Sequence, residues 1–227
     1  VDGHSNGRQP PFFLDHPPDF VRESLAATNR HGNKTGGRLS MVDAATYSAV
    51  EMLRDGRRVE IRSLRCDDRT EFLTAVGRVG RESMYHRFFT VKRGFTEREI
   101  DYFLNIDFVN HVALVAVVEE TSRPVIVGGA RYIVQEPGKA EVAFAIIDQY
   151  QGQGIGAALM HHLAAIARSA GLQELVADVL PDNDAMLKVF AKSGFPLTTK
   201  RDPDVVQVAL QLKGTGATTP GSESPLR

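Results

Sequence analysis

Between residues 149 and 156 the chain reads Gln149-Tyr150-Gln151-Gly152-Gln153-Gly154-Ile155-Gly156, set between an apolar strand-like run and a long amphipathic run. Glycines at such a junction let the backbone turn tightly and leave no Cβ between main-chain amides and a ligand. The first turn of the helix that follows presents unpaired N–H groups at the positive end of its dipole. Strand, Gly-rich turn and helix N-terminus together form a cradle suited to pyrophosphate. The same glycines also fit a tight turn with close packing and no ligand. Two phosphate motifs fail on spacing. A Walker A loop ends in Gly-Lys-Ser/Thr, which is missing here. A dinucleotide fingerprint is met in part by Gly152, Gly154 and Ala157, with Asp178 where a ribose-binding acid would lie. However, residues 148–151 separate the strand from the first glycine, and too few elements follow for a dinucleotide fold.

The elements that must position this turn can be read from period and punctuation. Val59 to Leu64 alternates apolar and polar and predicts a strand. Asp67 is a candidate cap for a helix over 68–79, whose Phe72, Leu73, Val76 and Val79 share a face. A short helix over 82–89 follows, then a third over 97–104 opened by Thr96 and Glu99 in capping-box spacing. Three strand-like runs come next, 112–118, 125–134 and 140–147, with Pro137-Gly138 predicting a hairpin between the last two. Residues 155–170 return to helical period and stop at Gly171. A strand over 175–180, a helix capped by Asp182 or Asn183 and ended by Gly194, and a closing strand over 205–212 complete the order.

The chain has 227 residues, 42% hydrophobic, with 27 Lys and Arg against 28 Asp and Glu. That is ample for a core, and the near-neutral balance argues against a nucleic-acid binder. A lone Cys66 excludes a disulfide scaffold and a Cys-rich zinc site. No apolar run reaches the roughly 20 residues of a membrane span, and the N-terminus does not read as a secretory signal, so a soluble cytoplasmic protein without membrane partners is expected. Residues 1–40, rich in Gly, Pro, Asn and His, are expected to be a disordered tail with at most a short helix near Phe20 to Leu25. A helical lead-in is expected over 41–56, centred on Asp43 to Arg54. A catalytic domain is expected over 57–213, and a loose tail over 214–227.

Q-x-x-G-x-G before a long helix, in this order of elements, resembles the acyl-CoA motif of the GNAT superfamily of N-acetyltransferases. EVAFAIIDQYQGQGIGAALMHHLAAIARSAGL followed by VADVLPDNDAMLKVFAKSGF, and RESMYHRFF with HVALVAVVEE, resemble bacterial protein-lysine acetyltransferases of the Pat type. The likeness runs from about 57 to 212. The resemblance implies an α+β fold, a mostly antiparallel twisted sheet flanked by helices and splayed between the strands around the acyl-CoA site. It implies acetyl-CoA as cosubstrate, with Gln151, Gly152, Gly154 and Gly156 around the pyrophosphate. Ile146 and Phe144 would lie along the pantetheine arm, with Asn183 bonding it or serving as a plain helix cap. Glu141 matches the general base of Pat-type enzymes. A lysine with a reference pKa near 10.4 must lose a proton before it attacks a thioester. Alternation puts Glu141 on one face with the small Ala143 and Ala145. The position of the family's usual Tyr acid holds Phe190, which cannot donate a proton.

Phe88 and Phe89 are read as core, and His86 and Arg87 as acceptor contacts or a solvated face. His161 and His162 point to different faces and predict no metal. Cys66, beside two acids, is not a nucleophile. The implied acceptor is a protein lysine, an acyl-CoA synthetase being one candidate partner. The alternatives are a small amine or amino acid as acceptor, or a non-catalytic acyl-CoA-binding module.

Overall fold

The computed structural model describes residues 42–212. Within them, an eight-stranded sheet has the order β1-β2-β3-β4-β5-β6-β8-β7. The strands are β1 (Ser48–Met52), β2 (Arg58–Ser63), β3 (His111–Glu120), β4 (Arg123–Glu136), β5 (Lys139–Ile146), β6 (Glu174–Val179), β7 (Leu197–Arg201) and β8 (Val206–Gln211). Five helices accompany them: α1 (Arg69–Arg78), α2 (Arg81–Phe88), α3 (Glu97–Leu104), α4 (Ile155–Ser169) and α5 (Asp184–Ala191). β5 and β6 form the one parallel pair of the sheet, and all other neighbours are antiparallel. This is the α+β class, with helices flanking the sheet.

The sheet's two faces carry different helices. Ile146 points to α4, where its Cδ1 would lie 3.2 Å from a Cβ at Gly156. Ala143 and Ala145, of opposite parity, border the cavity lined by Val76 of α1 and Met84 of α2. α4 buries nine residues, among them Ile155, Leu159, Leu163 and Ile166, which explains its helical period. Thr96 and Glu99 form the expected capping box of α3. Pro137-Gly138 makes the tight turn between β4 and β5, with Gly138 at φ 83°.

Two local expectations are corrected. In place of a helix over Asp43–Arg54, the chain makes an Asp43 turn and the strand β1, paired with β2 from Ser48↔Arg62 to Met52↔Arg58. Helix propensity there is weak, and the unpaired edge of β2 offers main-chain hydrogen bonds that override it. The sequence signal was Asp55-Gly56, a hairpin turn with Gly56 at φ 84°. Asp67 does not cap α1. It is exposed, and Asp68 takes the adjoining position. The tails over 1–40 and 214–227 and the short helix near Phe20 lie outside the described residues.

Asp68 holds β2 to α1. Its two oxygens accept from Arg62 Nη1 and Nη2, both at 2.7 Å, and Oδ2 also accepts from the Arg65 amide at 2.8 Å. Both side chains are about nine-tenths buried. Burial alone would raise the Asp68 carboxyl, but the hydrogen bonds from Arg62 and Arg65 outweigh it and hold the pKa below the usual carboxylate range. The group therefore adds stability above its unfolded pKa, and that stability is lost as pH falls through the lower folded value. Asp68→Ala strands a buried guanidinium and is expected to cost about 3–5 kcal/mol in urea denaturation at neutral pH. The gap to the parent protein should narrow in acid.

Candidate active site

The Gly-rich turn owes its shape to two different constraints. Gly152 and Gly154 lie at φ 73° and 103°, and a Cβ at either would meet nothing within 4 Å. Glycine is needed there for backbone conformation. Gly156 is needed for space, because a Cβ would come within 3.2 Å of both Ile146 Cδ1 and Val189 Cγ2. So Gly154, the residue before α4, turns the chain, and Gly156 lets α4 sit close to β5 and α5. The opening amides of α4 then stand at the mouth of the turn without intrahelical acceptors. Gln151 braces the loop: its Nε2 lies 3.1 Å from Ile146 O and 2.9 Å from Ser83 Oγ.

Beside the turn the sheet opens. β5 and β6 pair only at Lys139↔Glu174, Ala140↔Leu175 and Glu141↔Val176. Beyond that point β6 stays with β8, to Val179↔Val206, while β5 stays with β4, to Ile146↔Gly128. The Ile147 amide bonds Val127 of β4. Alternation therefore turns the main-chain groups of Phe144 and Ile146 to the open side. The opening is a cleft of about 730 Å³. Its lining includes all eight residues singled out from sequence: Glu141, Phe144, Ile146, Gln151, Gly152, Gly154, Gly156 and Asn183. Phe144 and Phe190 meet edge to face at 6.1 Å on its wall. Asn183 Oδ1 caps α5 through the Met186 amide at 3.1 Å. Arg54, Lys188 and Lys192 add positive charge to the lining.

Glu141 stands at the closed end of the split, in the last β5–β6 pair. Gln135 Nε2 donates to its Oε2 at 2.7 Å. Burial is the main influence and pushes its pKa up to about 7, against the pull of Arg87 and with a small push from Asp178. Arg87 is itself lowered to about 10 by burial. The carboxyl thus titrates near neutrality in a cleft, where a general base is most effective.

Sequence reasoning missed what holds α2 over this cleft. Asp148, just after β5, accepts from Ser83 Oγ at 2.7 Å and from the Gly80 amide at 3.3 Å. A Cβ on Gly80 would fall 2.0 Å from Asp148 Oδ2, so a larger residue there would push that carboxylate away from the start of α2. On the outer side, His86 Nε2 of α2 reaches Asp182 Oδ1 at 3.3 Å, and both line the cleft. Phe88 packs edge to face with Phe95 and Phe103, at 5.3 and 6.2 Å, and also borders the cleft. Phe89 ends α2 in the left-handed region. Tyr150 is buried and donates to Glu120. Tyr47 Oη lies 2.5 Å from His162 Nδ1, and His162 Nε2 lies 3.0 Å from Glu51 Oε1, fastening β1 to α4. His161 and Cys66 are exposed. Among the described residues no group of three or more His, Cys, Asp or Glu could hold a metal ion, and no helix is long and apolar enough to cross a membrane.

The sequence pattern of the Acetyltransferase (GNAT) family matches residues 81–195. Acetyltransferase PA5475 of Pseudomonas aeruginosa is 35% identical over 156 residues, which cover 68% of this chain and 83% of that protein. Acetyltransferase Pat of Mycolicibacterium smegmatis is 36% identical over 115 residues, 50% of this chain and 34% of its own length. Among solved structures, the GNAT domain of S. lividans PAT superposes with a TM-score of 0.66 at 31% identity, covering 72% of this chain and 96% of that domain.

The raised Glu141 pKa has a stability signature. Its folded value near 7 exceeds the unfolded value near 4.5, so any stability it adds is complete below the latter and lost as pH rises through the former. Glu141→Gln keeps the shape and removes the titration. Its stability relative to the parent, from urea denaturation, should rise between pH 5 and 8. Parallel curves would show that Glu141 titrates normally.

Proposed function

The chain belongs to the Acetyltransferase (GNAT) family, and on that premise we propose that it transfers acetyl from acetyl-CoA directly to the ε-amino group of a protein lysine, with Glu141 as general base. The single observation that carries this is the split between β5 and β6, with a phosphate cradle at one end and a neutral-range carboxyl at the other. The residues fit the cosubstrate. The backbone of Gly152 and Gly154 and the first amides of α4 would hold the pyrophosphate. The open main-chain groups of Phe144 and Ile146 would pair with the pantetheine amides, as a strand would. Asn183 would border the arm with its Nδ2, while its Oδ1 caps α5.

The chain's contribution to the chemistry is then positional and electrostatic. Free lysine titrates near 10.4, so an ordinary carboxylate is a poor base for it. At about 7, Glu141 narrows that gap, and desolvation beside the Arg87 cation lowers the ammonium's own pKa. The amine nitrogen bonds to the thioester carbon, the C–S bond breaks, and the amine's proton passes to Glu141. Amides on the free edge of β5 polarise the carbonyl oxygen. No Tyr lines the cleft among the described residues, and Phe190 on its wall has no proton to donate. Solvent is assigned the proton for the leaving thiolate.

Protein lysine as acceptor is supported by the Pat-type likeness of the segments at 81–89, 111–120 and 141–195. Labelled acetyl-CoA incubated with candidate proteins, against a panel of small amines, tests it. Rapid turnover of small amines with no protein labelled would replace lysine by a small amine. Glu141→Gln is expected to lower kcat by about 10²–10⁴ with CoA affinity nearly unchanged. The parent's kcat/KM should rise with pH through an apparent pKa near 7. Unchanged turnover would remove Glu141 as the base. CoA binding without modification of any acceptor would favour a sensing module. Gly154→Val forces a β-branched residue to φ 103° and should weaken CoA binding at least tenfold by calorimetry.

A further inference from the structure

The turn between β1 and β2 lies against the Gly-rich loop, although the two are far apart in the chain. Two backbone bonds close it, from the Leu53 amide to Arg57 O at 2.8 Å and from the Gly56 amide to Leu53 O at 3.0 Å. Asp55 then fixes Arg57, accepting from its amide at 3.0 Å and from its Nε at 2.7 Å. Arg57 Nη2 donates in turn to Gln153 Oε1 at 2.5 Å, and its guanidinium stands 5.4 Å from the centre of the Tyr150 ring. Gln153 Nε2 donates to Gln149 O at 2.7 Å. Tyr47 and Glu51 fasten the same hairpin to α4 through His162.

These bonds set Arg54 beside the cradle. Arg54 is exposed and makes no hydrogen bond or ion pair with any described residue. By contrast, Arg57, Arg62, Arg69 and Arg78 are each paired with a carboxylate. Arg54 lines the cleft, and it also lines a groove of about 360 Å³ between the hairpin and the start of α4, with Met52, Leu53, Gln153 and Ala158. Gly154 borders both spaces as well. Gly152, Arg54 and His161 are exposed, so the two spaces adjoin over the open surface and no wall has to be crossed.

The two ends of the split fix the direction of the cosubstrate. With the thioester at Glu141 and the pyrophosphate at Gly152 and Gly154, the pantetheine arm runs along β5 and the nucleotide half leaves the cleft past the turn. That half of CoA carries a ribose 3′-phosphate, an anion of charge about −1.5 to −2 at neutral pH. A planar guanidinium fork pairs with phosphate oxygens two at a time, which the point charge of a lysine does not. We infer that Arg54 binds the 3′-phosphate of CoA, so that the β1–β2 turn is part of the cosubstrate site and selects CoA over its dephospho form. The inference rests on the acyl-CoA-dependent transfer proposed above. Arg54 lies outside residues 81–195, so the contact belongs to this chain's own N-terminal hairpin and not to the segment that carries the family pattern.

Calorimetry on the full chain with CoA and with 3′-dephospho-CoA reads this contact without needing an acceptor. The parent protein should bind CoA about tenfold more tightly than the dephospho form, the worth of one charge-assisted bidentate pair. Arg54→Gln should remove most of that preference by weakening CoA, and should leave 3′-dephospho-CoA within about twofold of the parent, which also shows that the variant keeps its fold and its cradle. Arg54→Lys retains the charge without the fork and should restore only part of the preference. Equal binding of the two ligands by the parent would overturn the 3′-phosphate contact while leaving acyl-CoA binding intact. An undiminished preference in Arg54→Gln would overturn the role of Arg54 and pass the phosphate to Lys188 or Lys192 of α5. Failure of both ligands to bind the parent would overturn the acyl-CoA reading as well.

Discussion

The site depends on one broken pairing. After Glu141↔Val176 the two central strands part, each keeping its other neighbour. Buried main-chain groups are normally paired, so a gap in the middle of a sheet is costly unless something else meets them. Here the gap is stabilised from the sides. Phe144 and Phe190 pack across one wall, Gln151 takes the carbonyl of Ile146, and Gly156 lets α4 close in beneath. The remaining polar edge of β5 faces the cleft, where a ligand with amide groups can complete it as an added strand would. The Gly-rich turn then sits at the end of that edge because β5 leads straight into it.

Much of this was legible in the sequence, because its signals are local. The glycines at 152 and 154, the helical period of α4, the capping box at Thr96 and Glu99, and the Pro137-Gly138 turn each act within a few residues. The eight residues chosen as candidates come together on one cleft. What was not legible is set by distant partners. β1 reads as a weak helix until β2 offers it an edge. Asp148 meets the start of α2 across 65 or more residues, and no pattern in either segment announces the other. For Asn183 two roles could be read, and the structure gives the Oδ1 to the helix cap.

Electrostatically, the near-neutral chain keeps a concentrated charge pattern. Arg87 and Arg131 are buried, with pKa values lowered by desolvation to about 10 and 9. His111, against Arg131 at 3.0 Å, is driven down to about 3 by burial and by that cation, and stays neutral. The aromatic faces of Phe88 and Phe103 lie under the two guanidinium groups. Glu141 feels the pull of Arg87, and burial still outweighs it. A group poised between two such opposing influences is sensitive to small changes in either, so the packing of α2 bears on how Glu141 titrates.

The order of strands also divides the molecule in two. From β1 to β5 each strand lies beside its sequence neighbour and pairs with it antiparallel. β6, β7 and β8 join through the α4 crossover and only three parallel residue pairs. The cleft is therefore the seam between two halves of the sheet, β1 to β5 and β6 to β8. A molecule that touches both sides of a seam acts as a clasp on the native state, and raises the free energy of unfolding in proportion to the logarithm of its concentration.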